Sequence, residues 1–138
     1  MKLILCTKPG ITSALLRLVM WSKWSHSAIL DEGLVIDTTL WQGGVRVHKA
    51  EDFFAKYPAH EVRDIEVDET HARYWLHAQI GKRYDWTALV SFVVQRDWQQ
   101  PDAWFCSELT EAMITMFGKP RFRASAQRIT PRHQEMLA

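Results

Sequence analysis

Ser25-His26-Ser27-Ala28-Ile29-Leu30-Asp31-Glu32-Gly33-Leu34-Val35-Ile36-Asp37-Thr38-Thr39 decides how the chain is read. Two largely apolar runs, Ser25 to Leu30 and Leu34 to Thr39, flank a turn at Asp31-Glu32-Gly33. That is a hairpin signal, and it predicts an antiparallel pair of strands. Residues directly opposite in such a pair point to one face. With Asp31-Glu32 as the turn, His26 lies opposite Asp37. With Glu32-Gly33 as the turn, the two become diagonal and stay on one face. An imidazole and a carboxylate sharing a face can act as base and orienter. Each also has an ordinary role: a hydrogen-bonded strand histidine, and a strand-end aspartate bonding its own backbone.

A second stretch supplies what the pair would activate. Trp104-Phe105-Cys106-Ser107-Glu108-Leu109 opens the clearest helical pattern in the chain. Phe105, Leu109, Ala112, Met113, Met116 and Phe117 recur at helical spacing, so one face is expected to be buried. Gly118 and Pro120 are stop signals, and Asp102 is a candidate cap. Cys106 then sits in or beside the first turn. Free N–H groups and the helix dipole favour a thiolate there, and the thiolate is the nucleophile. The sequence therefore predicts an accessible, acidic Cys106. The plain alternative is a small buried apolar residue.

Outward from these stretches, Leu3 to Cys6 reads as a strand and Thr7-Lys8-Pro9-Gly10 as a turn. Thr12 or Ser13 is expected to cap a helix running to about Trp21. Leu15, Leu16, Leu18, Val19 and Met20 crowd that helix, which predicts that it is largely buried. Trp21 and Trp24 raise the alternative of an interfacial membrane helix, but Arg17 and Lys23 are its only charges, and core packing is preferred. Trp41-Gln42-Gly43-Gly44 is a turn, and Val45 to His48 a short strand. Asp52 to Tyr57 is read as a helix, Glu61 to Val67 as a strand, and Glu69 to Ile80 as a helix capped by Asp68. Tyr84-Asp85-Trp86 leads into an apolar helix from Thr87 to Val94.

Composition narrows the function classes. The chain has 138 residues, 47% of them apolar, which suits one domain with a real core. Seventeen basic and sixteen acidic residues give a net charge of +1, so no global argument points to nucleic acid. The basic stretch from Lys119 to Arg132 reads as solvated surface. Two cysteines a hundred residues apart make neither a disulfide framework nor a zinc site. No histidine stands at metal-ligand spacing from a carboxylate or cysteine, and there is no Gly-rich phosphate loop. No cofactor or metal is expected. No apolar run reaches the length of a membrane span, and no signal segment is visible.

Taken as ordered blocks, the chain resembles the circularly permuted papain-like cysteine hydrolases of the YiiX type. These are cousins of the NlpC-type cell-wall peptidases and of the lecithin:retinol acyltransferase group. Trp24 to Leu30 is similar to the family's histidine strand, and Val35-Ile36-Asp37-Thr38 to its next strand. Gly43-Gly44-Val45-Arg46 is similar to its second turn. Gly81-Lys82-Arg83-Tyr84-Asp85-Trp86 resembles its Gly-x-x-Tyr-Asp motif. Trp104 to Leu109 resembles its cysteine motif, and Ile129-Thr130-Pro131 its closing segment. The order histidine, acid, cysteine marks the permutation. Asp37 stands where glutamate or histidine is more usual.

The resemblance implies an α+β, permuted papain-like fold over residues 1–138, with a small antiparallel sheet packed against helices. It implies a hydrolase working through an acyl-enzyme. Cys106 is the nucleophile, His26 the base and then the acid, and Asp37 the orienter. Backbone N–H groups at Cys106 and Ser107 would bind the oxyanion. Tyr84 is expected to line the site, and Trp41, Gly43 and Gly44 to border the substrate groove. The implied substrates are cell-wall peptides or peptidoglycan fragments first, and acyl-lipids or thioesters second. A reading of another class is a silent phage or cell-surface binding module that keeps the fold. Without a signal segment, the expected location is cytoplasmic as synthesised, with phage delivery or non-classical export as routes outward.

Overall fold

The computed structural model describes residues 1–87, 103–122 and 129–136. The expected Thr87 to Val94 helix and the Asp102 cap lie outside these residues, apart from Thr87 itself. The architecture is α+β: an antiparallel five-stranded sheet with helices packed against it. The sheet is built from β1 (Lys2–Thr7), β2 (His26–Asp31), β3 (Leu34–Thr39), β4 (Gly44–Lys49) and β5 (Ala59–Asp64), in the order β4-β3-β2-β1-β5. A small parallel pair, β6 (Arg83–Tyr84) with β7 (Ala103–Trp104), lies beside it.

The hairpin takes the Glu32-Gly33 turn, with Asp31 paired to Leu34 and Ile29 to Ile36. Glu32 and Gly33 have φ of 47° and 82°. Two positive φ values are what a two-residue hairpin turn needs to match strand twist. Continuing this register sets Asp37 opposite Ala28, so His26 and Asp37 are diagonal neighbours on one face. The direct His26–Asp37 pairing is therefore not the one adopted. Cys6 pairs with His26 across β1 and β2.

Strand alternation gives the sheet two cores. Leu3, Leu5, Ile29 and Ile36 face α3 (Glu69–Gln79) and the cysteine helix, α4 (Cys106–Phe117), against Leu76, Leu109 and Met113. Ile4, Cys6, Ala28 and Val35 face α2 (Ala50–Lys56), against Phe53 and Tyr57. Asp68 caps α3 by accepting from His71 N–H at 3.2 Å. Arg73 on α3 clasps Asp31 through Nε at 2.5 Å and Nη2 at 2.9 Å, which ties that helix to the hairpin end. α5 (Pro131–Met136) closes over α4, where Gln134 Nε2 donates to Thr110 Oγ1 at 2.8 Å.

One expectation is overturned. α1 (Ile11–Met20) is not buried by its apolar residues. Ser13 and Met20 are the buried positions, while Ile11, Leu15, Leu18 and Val19 are exposed. Nor does Thr12 or Ser13 cap it; Gly10 holds the cap position without a side-chain bond. The reason is a hydroxyl cluster. Ser13 Oγ lies 2.9 Å from Thr7 Oγ1 and 2.7 Å from Ser25 Oγ. Ser25 Oγ also donates to Thr7 Oγ1 at 3.0 Å. Buried hydroxyls need such partners, and these pin the Ser13 side of α1 to the end of β1. Among the described residues, no helix is long and apolar enough to cross a membrane.

Candidate active site

His26 stands at the first residue of β2, with its ring on the α2 face. Its Nε2 lies 2.7 Å from Asp37 Oδ2. Tyr57, the residue after α2, stacks on the ring at 5.3 Å with an interplanar angle of 18°. Cys106 opens α4 and lines the same cleft as the imidazole. With Nε2 committed to Asp37, the nitrogen left for the thiol is Nδ1. The structure thus brings together Cys106, His26 and Asp37, which lie in three separate parts of the sequence.

Asp37 carries a second partner that the sequence reading missed. His48 Nε2 lies 2.9 Å from Asp37 Oδ1. Val35 pairs with His48 and Asp37 with Arg46 across β3 and β4. His48 and Asp37 are therefore diagonal, as His26 and Asp37 are. The available signal was strand parity: His48 shares parity with Arg46, the residue opposite Asp37. Burial opposes the charge on Asp37, but hydrogen bonds from His26 and His48 outweigh it and lower its pKa from 3.8 to about 2. An ionised carboxylate only accepts, so both Nε2 atoms donate. Burial likewise opposes charge on His26. The hydrogen bond to Asp37, with further interaction from Cys106 and the negative charge of the carboxylate, raises its pKa from 6.5 to about 10.

His26 and Cys106 line a cleft of about 100 Å³. Thr12, Ser13 and Leu16 of α1 form one wall. Leu40, Trp41, Tyr57, Tyr84 and Lys8 line the cleft as well. Tyr84 is carried there by β6, which pairs with Trp104 of β7 just before the cysteine. Burial, with negative charge at Cys106 and Asp85, pushes the Tyr84 phenol upward, so it stays a neutral donor. Tyr57 is held neutral in the same way, by burial first and by the nearby negative charge of Asp37.

Other predicted positions fall elsewhere. Gly43 and Gly44 do not line the cleft. A Cβ on Gly44 would stand 1.9 Å from the Lys82 carbonyl oxygen, and Val45 N–H donates to that same oxygen at 2.8 Å. Gly44 thus lets β4 approach the segment that carries Tyr84, not a ligand. Ser107 turns away as well, its hydroxyl donating to the Ile129 carbonyl at 2.5 Å. Glu108 reaches back to accept from Phe105 N–H at 3.2 Å, the return half of a capping box. Burial raises its carboxyl to about 7.

Cys106 itself is only 2% exposed, which departs from the accessible thiol expected. Met20, Phe105 and the partly buried Leu16 and Tyr84 pack around it and leave it facing the cleft from below. Among the described residues, no group of three or more His, Cys, Asp and Glu is placed to hold a metal ion. Compared with family models and with curated proteins, the chain finds no match in either.

Proposed function

We propose that the chain is a thiol-dependent hydrolase that transfers an acyl group from substrate to Cys106 and then to water. The observation that carries the reading is His26, with one ring nitrogen on buried Asp37 and Cys106 lining the same cleft beside it. In the first step the Cys106 thiol gives its proton to His26 Nδ1 as Sγ bonds to the carbonyl carbon, and the tetrahedral adduct puts negative charge on oxygen. N–H groups at the start of α4 face the place where that charge develops. The carbon–nitrogen or carbon–oxygen bond then breaks, and His26 gives its proton to the leaving group. In the second step His26 takes a proton from water, water attacks the thioester, and the thiol leaves with the acid released. Asp37 keeps Nε2 protonated throughout, so that Nδ1 does the proton transfer.

The likeness to permuted papain-like hydrolases supports the same reading. It favours amides of cell-wall peptides as substrates, with acyl-lipids and thioesters second. The near-complete burial of Cys106 favours the other reading, a binding module with a silent site. Intact-protein mass spectrometry over a panel of peptides, acyl-lipids and thioesters separates them. A mass increase that maps to Cys106 and is absent in Cys106→Ala supports the hydrolase. A thiol that acquires no adduct from any of these, nor from iodoacetamide in the folded state, leaves the module.

A further inference from the structure

α1 is an amphipathic helix mounted inside out. Its inner side carries Ser13 and half-buried Arg17, whose Nε has no hydrogen-bond partner among the described residues. Its outer side carries Ile11, Leu15 and Leu18, at 82%, 55% and 70% exposure, and the helix ends on Trp21 at 78%. Leu40 and Trp41, which line the same cleft as α1, are also exposed, at 51% and 74%. Both stretches beside the cleft therefore present large apolar side chains to the outside. Soluble surfaces scatter such residues singly; a contiguous set signals a binding face.

We propose that these two stretches form an interfacial surface that seats the cleft mouth on an anionic lipid bilayer. The charge pattern selects this occupant. Residues 1–30 hold no carboxylate; of their cations, Lys2 is paired with Asp64 at 2.7 Å at the other end of β1 and Arg17 faces inward, which leaves Lys8 and Lys23. Lys8 lines the cleft, and Arg132 lies beside Trp21 at the far end of α1. Lys23 is partly answered by Glu61 at 3.8 Å and Glu135 at 3.5 Å, and Lys8 Nζ stands 6.0 Å from the Tyr57 ring centroid. A second copy meeting this face through a two-fold axis would bring a second set of the same cations, Lys8 and Arg132, into one interface. A headgroup layer instead offers anions to the cations and an acyl boundary to the Leu and Trp side chains. At ten residues, α1 is about 15 Å long, so it lies on a bilayer and does not cross it. The docking is independent of the cysteine chemistry, because none of its contacts involves Cys106.

Flotation of the full chain with phosphatidylglycerol-containing vesicles, and with pure phosphatidylcholine vesicles, tests this. The chain is expected to float with the anionic vesicles, and more weakly with the zwitterionic ones. Leu15→Glu/Leu18→Glu should lower the bound fraction roughly ten-fold or more, while circular dichroism and melting stay those of the parent. Cys106→Ala should bind as the parent does, so that a dead catalytic reading and a dead docking reading fail separately. Binding that ignores the double substitution, or that is equal for both vesicle types, overturns the proposal. So does a stable dimer in sedimentation that the double substitution converts to monomer, because the face would then belong to a second copy.

Discussion

α1 and α4 are both helices with strong apolar periodicity, and the fold uses them in opposite senses. α4 buries all its residues from Cys106 to Ile114, polar ones included. Each polar side chain there has a partner: Ser107 on the Ile129 carbonyl, Glu108 on Phe105 N–H, Thr110 on the Ser107 carbonyl, and Glu111 on Arg121 at 2.6 Å. α1 turns Ser13 inward and its leucines outward. Periodicity thus marks that a helix has two faces. Which face is buried depends on what waits beneath it. Under α4 the sheet offers Leu3, Leu5, Ile29 and Ile36. Under Ser13 it offers the hydroxyls of Thr7 and Ser25, and a leucine there would strand them.

The comparison breaks most sharply at the tip of α4. If Cys106 works with His26, then His26→Ala should slow acylation by on the order of 10³-fold or more, measured by single-turnover mass spectrometry. Asp37→Asn should lose turnover on a similar scale with folding intact. An asparagine amide offers one acceptor and one donor, so one of its two histidines must present a lone pair. The double substitution should be hardly worse than the worse single one, since members of a catalytic unit do not add. Equal acylation by parent and His26→Ala would make Cys106 just another inward residue of α4.

Next in size is the packing of α4 itself. Leu109 is fully buried between sheet and α3, so Leu109→Ala should cost about 2–5 kcal/mol in urea unfolding. A cost under about 1 kcal/mol would mean that α4 is not the inward helix described here.

The third test is a pH titration of stability. His26 is raised from 6.5 to about 10, so its contribution is complete below 6.5 and is lost as pH rises toward 10. Asp37 is lowered from 3.8 to about 2, so its contribution holds above 3.8 and is lost as pH falls toward 2. Glu108, raised from 4.5 to about 7, adds a loss as pH rises between those values. Urea unfolding midpoints should therefore decline from pH 6.5 to 10 in the parent. His26→Gln should flatten that limb; an unchanged limb would place its origin in another group.

The smallest effects belong to α1 and carry the contrast with α4. Ser13→Ala should destabilise by about 1–3 kcal/mol, since it leaves Thr7 and Ser25 short of a partner. Leu18→Ser, one turn further along and facing out, should stay within about 0.5 kcal/mol. If the leucine proves the costlier loss, α1 sits the other way round.

Much was legible in the chain alone. Alternation and the turn signal at Asp31-Glu32-Gly33 determined the hairpin, and strand parity, under either two-residue turn, put His26 and Asp37 on one face; the register chose Glu32-Gly33. Stop signals and helical spacing determined α4 with Cys106 at its start. These are local rules, set by backbone geometry within a few residues. Three matters were decided only by tertiary structure. The approach of Cys106 to His26 joins the two ends of the chain through the packing of α4 on β2. His48 reached Asp37 only through the β3–β4 register, because a carboxylate has two oxygens and the sequence reading filled one. The outward turn of α1 depended on hydroxyls from β1 and from the residue before β2, which no periodicity within the helix encodes. Gly44 belongs with these, as its role is set by a carbonyl thirty-eight residues further on. Contacts between distant segments carry no local pattern, and here such contacts assembled the site.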